Sequence, residues 1–349
     1  MGCRPPAAAT TMVPQATEPA GPLSRHRRLP ERTKMTAIGN GIEVSPLALG
    51  GSTFGWTSDA TASRQVLDGF LHAGGNYIDT ADSYSSWAPG NSGGESETVI
   101  GGWLSARGNR DRVVIGTKVS RHPEFPGLSA ANVAAAADAS LKRLGTDYID
   151  LYWAHFDDPD VPLQETAEAF DALVRAGKVR AIGVSNYTGE RIREWITIAR
   201  REGHAVPVAV QPLYNLVKRE AYERDIAPVA AAENLAVLPY QALASGFLTG
   251  KYRAESDLAG GVRQYMARGF YSEAGLAVVG VLEDVAREHG SNPAAVALAW
   301  LRGRPGVAAP IASARTLDQL ASMMAFTRLQ LTADQRSALD EVSARVPRG

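Results

Sequence analysis

The sequence predicts an α/β fold, a single (β/α)8 TIM barrel with an N-terminal β-hairpin and extra C-terminal helices. Three observations carry this. Eight short apolar runs recur from residue 44 onward. Amphipathic stretches of helical length separate them. The chain of 349 residues exceeds the roughly 250 that such a barrel needs. Strand–helix alternation builds a parallel sheet with right-handed crossovers, and eight repeats are the number that closes it. On pattern alone, an open doubly wound sheet is the other arrangement.

The elements follow in chain order. Residues 1–34 are rich in Ala, Pro and Arg and read as a disordered tail, with a targeting or interaction arm as the alternative. The barrel domain is expected over 35–349, and Met35 is an alternative start. The tail has no apolar stretch fit for a signal peptide or a membrane span. Ile38-Gly39-Asn40-Gly41-Ile42 holds an Asn-Gly turn and predicts the hairpin. The apolar runs are 44–51, 76–81, 113–119, 148–155, 179–186, 209–214, 236–243 and 308–314. Several are rich in Val, Ile and Tyr, as strands buried on both faces are. Between the third and fourth runs, Ser129 caps a helix with Val133, Ala137, Leu141 and Leu144 on one face, closed by Gly145. Between the fourth and fifth, Ala167, Phe170, Leu173 and Val174 share a face that stops at Gly177. Thr332 and Gln335 form a capping box that opens a last helix, with Leu339 and Val342 inward.

Composition narrows the function. A net charge of −1 gives no global field for nucleic acid or an anionic membrane. Cys3 is the only cysteine, so neither an intramolecular disulfide nor a thiolate metal cluster can form. A reducing, cytoplasmic setting and a small-molecule partner are the expectation.

In a closed α/β barrel, chemistry sits at the C-terminal strand ends. The second run ends in Asp79, shortly before Tyr84. The third ends in Gly116-Thr117-Lys118, and the fourth in Trp153-Ala154-His155. Asp, Tyr, Lys and His thus meet on three neighbouring strand ends. Each alone has an ordinary structural use as a cap, an ion-pair partner or a satisfied core histidine. Together they suit carbonyl reduction. Hydride delivery to carbon builds negative charge on oxygen, which Tyr84 can protonate. Lys118 can lower the tyrosine pKa, Asp79 can hold the lysine, and His155 can orient the carbonyl. Only His155, of six histidines, lies at a strand end, so the ligand set of a metal-dependent hydrolase is missing and no metal is expected.

At these residues the chain resembles the aldo-keto reductase superfamily. The matching segments are 75–84 (GNYIDTADSY), Gly94-Glu95-Ser96-Glu97 with Val99-Ile100-Gly101, 140–155 (SLKRLGTDYIDLYWAH) and 176–186 (AGKVRAIGVSN). The resemblance runs over roughly residues 36 to 325. It implies a catalytic tetrad of Asp79, Tyr84, Lys118 and His155, with Tyr84 as general acid. It also implies NADP as cofactor, with NAD possible. Ser185, Asn186 and Gln211 would bind the nicotinamide carboxamide, and Tyr240 would stack on the ring. The segment 242–252 resembles the family's pyrophosphate loop, placing Leu243, Ser245, Gly246 and Lys251 at the phosphates. Arg315 and Gln319 would meet the adenosine end. No Gly-x-Gly-x-x-Gly follows the first strand, in keeping with a dinucleotide extended across the barrel mouth. Ser313, Ala314 and Met323 depart from the family pattern and remove polar contacts there. A small-molecule carbonyl substrate and a monomer or weak homo-oligomer are implied, as is an alternative role as a cofactor-sensing, non-catalytic channel subunit. Phe54, Trp56, Trp87, Trp153 and Phe156 are candidate pocket aromatics. The chain ends soon after the last helix, which predicts an open pocket of broad specificity.

Overall fold

A computed structural model describes residues 1–2 and 34–347. The tail expected over 1–34 lies almost wholly outside the described residues, as do Cys3 and His26. The hairpin pairs Thr36–Ala37 with Glu43–Val44 antiparallel. Asn40 turns the chain at φ 48°, a conformation asparagine tolerates better than most residues. Ile38, Ile42 and Val44 bury against the barrel interior and plug its N-terminal end.

Eight strands form one sheet: β1 (Ala48–Gly50), β2 (Tyr77–Asp79), β3 (Val114–Val119), β4 (Ile149–Ala154), β5 (Val179–Ser185), β6 (Ala209–Gln211), β7 (Ala236–Val237) and β8 (Ile311–Ala312). Their order is β7-β6-β5-β4-β3-β2-β1-β8, and every neighbour is parallel. The two ends of that order meet. Val237 donates to the Gly306 carbonyl and accepts from Ala308, both at 2.9 Å, and Ile311 donates to Pro239 at 2.8 Å. The sheet closes into the expected barrel.

Every strand is shorter than its apolar run, and in four of them a proline divides the run. Pro46 divides the run at 44–51, leaving Val44 to the hairpin and Ala48–Gly50 to the sheet. Pro212, Pro239 and Pro310 likewise interrupt regular pairing in the runs of β6, β7 and β8, because proline has no N–H to donate.

Strand parity fills the barrel. Tyr77, Val114, Leu151, Trp153, Ala181 and Ala209 belong to the interior cluster. Gly116 faces Tyr77, and a Cβ there would stand 2.3 Å from the tyrosine oxygen. A Cβ on Gly183 would meet the Trp153 ring at 2.5 Å. Two large rings fit because the residues against them carry no side chain. Two positions beyond Tyr77 and Gly116 on the same parity come Asp79 and Lys118. They therefore emerge on the interior at the C-terminal mouth.

Helices pack outside. The first five strands are each followed by one: α1 (Ala60–His72), α2 (Glu95–Arg107), α3 (Ala130–Leu144), α4 (Leu163–Arg175) and α5 (Gly189–Glu202). α6 (Ala227–Ala232) follows β6, and α7 (Val262–Arg268), α8 (Glu273–Glu288) and α9 (Pro293–Arg302) fill the long span before β8. α10 (Leu317–Met324) and α11 (Ala333–Ser343) complete the chain. The sequence signals act as expected. Ser129 accepts from the Asn132 amide, and Gly145 ends α3 at φ 63°. Thr332 and Gln335 cap α11 reciprocally, with Leu339 and Val342 buried. No helix among the described residues is long and apolar enough to cross a membrane.

Candidate active site

Lys118 organises the mouth of the barrel. It is fully buried, as is Asp79. Its ammonium donates to Asp79 Oδ2 at 2.6 Å, to the Thr80 carbonyl at 2.6 Å and to the Tyr84 hydroxyl oxygen at 3.0 Å. Three donors thus meet three acceptors. Asp79 is held from its other side, where Oδ1 accepts from Gln211 Nε2 at 2.9 Å and from the Tyr77 hydroxyl at 3.3 Å. Tyr77 in turn accepts from Trp153 Nε1 at 3.2 Å. The interior rings therefore form the floor on which the charged pair rests. The Tyr84 and His155 rings meet edge to face at 6.3 Å.

The electrostatics follow from burial. Desolvation raises the Tyr84 pKa above that of a free tyrosine, against the pull of Lys118. Lys118 pulls the value down, as expected, but burial outweighs it. The cation moderates a rise that burial causes, and Tyr84 keeps its proton at neutral pH. Burial also works against the Lys118 ammonium, but the Asp79 charge, with the hydrogen bonds to Asp79 and Tyr84, holds its pKa above the ordinary value. Desolvation, with Lys118 and Arg121 nearby, holds the His155 imidazole well below its usual pKa, so it is neutral. Its Nδ1 is buried with no protein partner.

A cavity of about 810 Å³ opens over this group. Tyr84, His155, Tyr240, Leu243, Ser245, Gly246, Lys251, Arg315 and Gln319 all border it. Asp79 and Lys118 lie behind Tyr84. Ser185, Asn186 and Gln211 form a hydrogen-bonded layer beside Tyr240. Ser185 Oγ donates to the Gln211 carbonyl at 2.8 Å, Asn186 Nδ2 to the His155 carbonyl at 2.9 Å, and the Tyr240 hydroxyl to Asn186 Oδ1 at 2.8 Å. The 242–252 segment turns sharply, with Ala244 at φ 48°, Ser245 at φ 55° and Gly246 at φ 91°. The Ala244 and Gly246 amides bond within the turn. Lys251 folds back so that its Nζ would stand 2.9 Å from a Cβ on Gly246. Gln319 Oε1 accepts from the Arg315 amide at 2.9 Å, ordering the start of α10. Two cations and a helix N-terminus suited to phosphates lie at this end, and an aromatic ring lies near the reacting group. The donor set fits a nicotinamide dinucleotide. Among the described residues, no cluster of three His, Cys, Asp or Glu could hold a metal ion.

Of the pocket aromatics expected, Trp56, Trp87 and Phe156 line the cavity. Phe54 and Trp153 do not, because both are fully buried in the core. Trp153 shares strand parity with His155 but lies one layer lower. Sequence reasoning missed Arg121 and Met266, which also border the cavity. Arg121 lies only three residues beyond Lys118, which was the signal available for it.

The aldo/keto reductase family profile matches residues 46–344. The chain belongs to this family and is an oxidoreductase. It is 33% identical over 329 residues to Protein tas of Escherichia coli K12, covering 86% of this chain and 94% of that protein. It is 31% identical over 352 residues to an NADP(+) aryl-alcohol dehydrogenase of Phanerodontia chrysosporium, covering 93% and 88%. It is 32% identical over 323 residues to a putative voltage-gated potassium channel subunit beta of Schizosaccharomyces pombe, covering 87% and 91%.

Proposed function

We propose that this protein reduces aldehydes or ketones with NADPH, reversibly with the alcohols, and that Tyr84 is the general acid. The observation that carries the reading is Tyr84, which borders the cavity while its hydroxyl oxygen rests 3.0 Å from an ammonium fully buried on Asp79. A bound nicotinamide cofactor would supply the hydride. As hydride reaches the carbonyl carbon, the Tyr84 O–H transfers its proton to the carbonyl oxygen, and the phenolate left behind is stabilised by the Lys118 ammonium. Asp79 keeps that ammonium in place, and neutral His155 offers a hydrogen bond to the carbonyl. Tyr240 supports the nicotinamide face, with Asn186, Ser185 and Gln211 beside it. Leu243, Ser245, Gly246 and Lys251 serve the pyrophosphate, and Arg315 and Gln319 the adenosine end, where a 2′-phosphate favours Arg315. The family resemblance implies a monomer or weak homo-oligomer.

The test compares NADPH consumption by native protein and Tyr84→Phe with a generic aromatic aldehyde. Native turnover, with Tyr84→Phe near background yet still binding NADPH, is the expected result. Equal rates would remove Tyr84 from the mechanism. The likeness to a putative channel subunit supports a second reading, a cofactor-sensing barrel in a larger complex. Tight cofactor retention with no turnover on any aldehyde would favour it.

A further inference from the structure

Arg121 is a cation at the cavity that the reduction chemistry leaves unused. It sits just past β3 on a short antiparallel ladder, where Arg121 pairs with Pro126 and His122 with Phe125. Its guanidinium stacks 3.9 Å over the Phe156 ring. Among the described residues it makes no ion pair, although charged residues on this surface commonly do. The cations expected at the cofactor lie elsewhere. Lys251 follows β7, four strands away round the barrel, and Arg315 follows β8, three strands away. Arg121 therefore belongs to the substrate end.

The residues leading to it form an unbroken aromatic wall. Trp56 and Trp87 meet edge to face at 5.6 Å, and Trp87 meets Tyr84 at 6.2 Å. His155 stands 5.0 Å from Phe156, which carries the guanidinium. Ring faces and edges favour a flat, apolar substrate body. A planar guanidinium at the end of the wall favours a carboxylate, which it can grip with two parallel hydrogen bonds. We propose that the preferred substrates are aryl or similarly flat aldehydes and ketones that also carry a carboxylate, and that Arg121 binds that carboxylate while the carbonyl meets Tyr84. This rests on the reductase reading of the site.

The test measures kcat/KM for the three carboxybenzaldehydes and their uncharged carbamoyl counterparts, with native protein, Arg121→Gln and Arg121→Lys. Native protein should favour at least one carboxylate isomer by about tenfold or more over its carbamoyl partner, mainly through KM. Arg121→Gln should bring that ratio close to one, and Arg121→Lys should retain part of it. A native ratio near one, or a ratio unchanged in Arg121→Gln, overturns the proposal. Binding of benzoate and benzamide at saturating NADP(+), followed by tryptophan fluorescence, gives a readout independent of turnover. If native protein reduces no aldehyde, the reductase reading fails; tighter benzoate binding that Arg121→Gln abolishes would still sustain the anion site. Benzoate bound no tighter than benzamide would sink it.

Discussion

Replacing Lys118 with Met separates what the buried ion pair does for the fold from what it does for the reaction. Methionine keeps the length of the side chain and removes the charge. Asp79 is then left about 1% exposed with Oδ2 unpaired, since Gln211 and Tyr77 reach only Oδ1. Removing one partner of a buried pair costs about 3–5 kcal/mol, a large share of the roughly 5–15 kcal/mol that holds a domain folded. Pairing the change with Asp79→Asn removes the stranded charge, so the double variant should recover most of that loss. Activity should not follow. The Tyr84 oxygen loses a charged donor at 3.0 Å in both variants. A hydrogen bond to a charged group is worth about 1.5–3 kcal/mol, or roughly 10- to 150-fold in rate. Urea denaturation and kcat/KM for an aromatic aldehyde read the two effects separately. Should the double variant regain activity together with stability, Lys118 supports only the fold and the proton-donor argument fails. An unchanged urea midpoint for Lys118→Met alone would mean the pair carries no structural weight.

Three further outcomes follow from the geometry. Arg315→Ala should raise KM for NADPH about tenfold or more while leaving NADH nearly unaffected, because a charged contact to a 2′-phosphate is lost; equal effects on both cofactors would move the phosphate site elsewhere. With Tyr84 as the proposed acid, reduction needs its protonated form, and because burial raises its pKa the rate limb assigned to Tyr84 should fall only at a pH above the range of a free tyrosine. The reverse oxidation needs the phenolate and should rise with pH, and a Tyr84-dependent limb between pH 6 and 8 would contradict the assignment. Asp82 is buried with no well-formed hydrogen bond to either oxygen, and desolvation, then the Glu97 charge, raises its pKa well above the ordinary value. A carboxyl raised in the folded state supports stability most fully below its unfolded pKa and loses that support as pH rises. Asp82→Asn should therefore raise Tm by about 2 °C or more at pH 8, with the gain shrinking toward pH 4; calorimetry at both values checks it.

The barrel was legible because its signals are local and repeated. Ser129, Gly145 and the Thr332–Gln335 pair each mark a helix end with short-range chemistry. Strand lengths were less legible, since Pro46, Pro212, Pro239 and Pro310 sit inside apolar runs whose hydrophobicity conceals the missing donors. At the site, parity was enough to bring Asp79 and Lys118 together, because both follow interior residues by two. The sign of the Tyr84 shift was not readable, as it depends on how deeply the ring is buried against how close Lys118 comes. Arg121 escaped notice because it lies past the strand end, on a small hairpin that only the folded chain reveals.

The closure between β1 and β8 carries a consequence for biosynthesis. Ala48 pairs with Ile311, on the order of 260 residues later in the chain. At a synthesis rate of about 5–20 residues per second, the first strand waits roughly 13–50 s for its second partner. Through that interval the nascent sheet presents a raw edge at β1, and later another at β7, each able to template pairing with a neighbouring chain. A product truncated before residue 306 would keep both edges for its whole lifetime, and its fate would be set by chaperones and proteases rather than by the chemistry of the mouth.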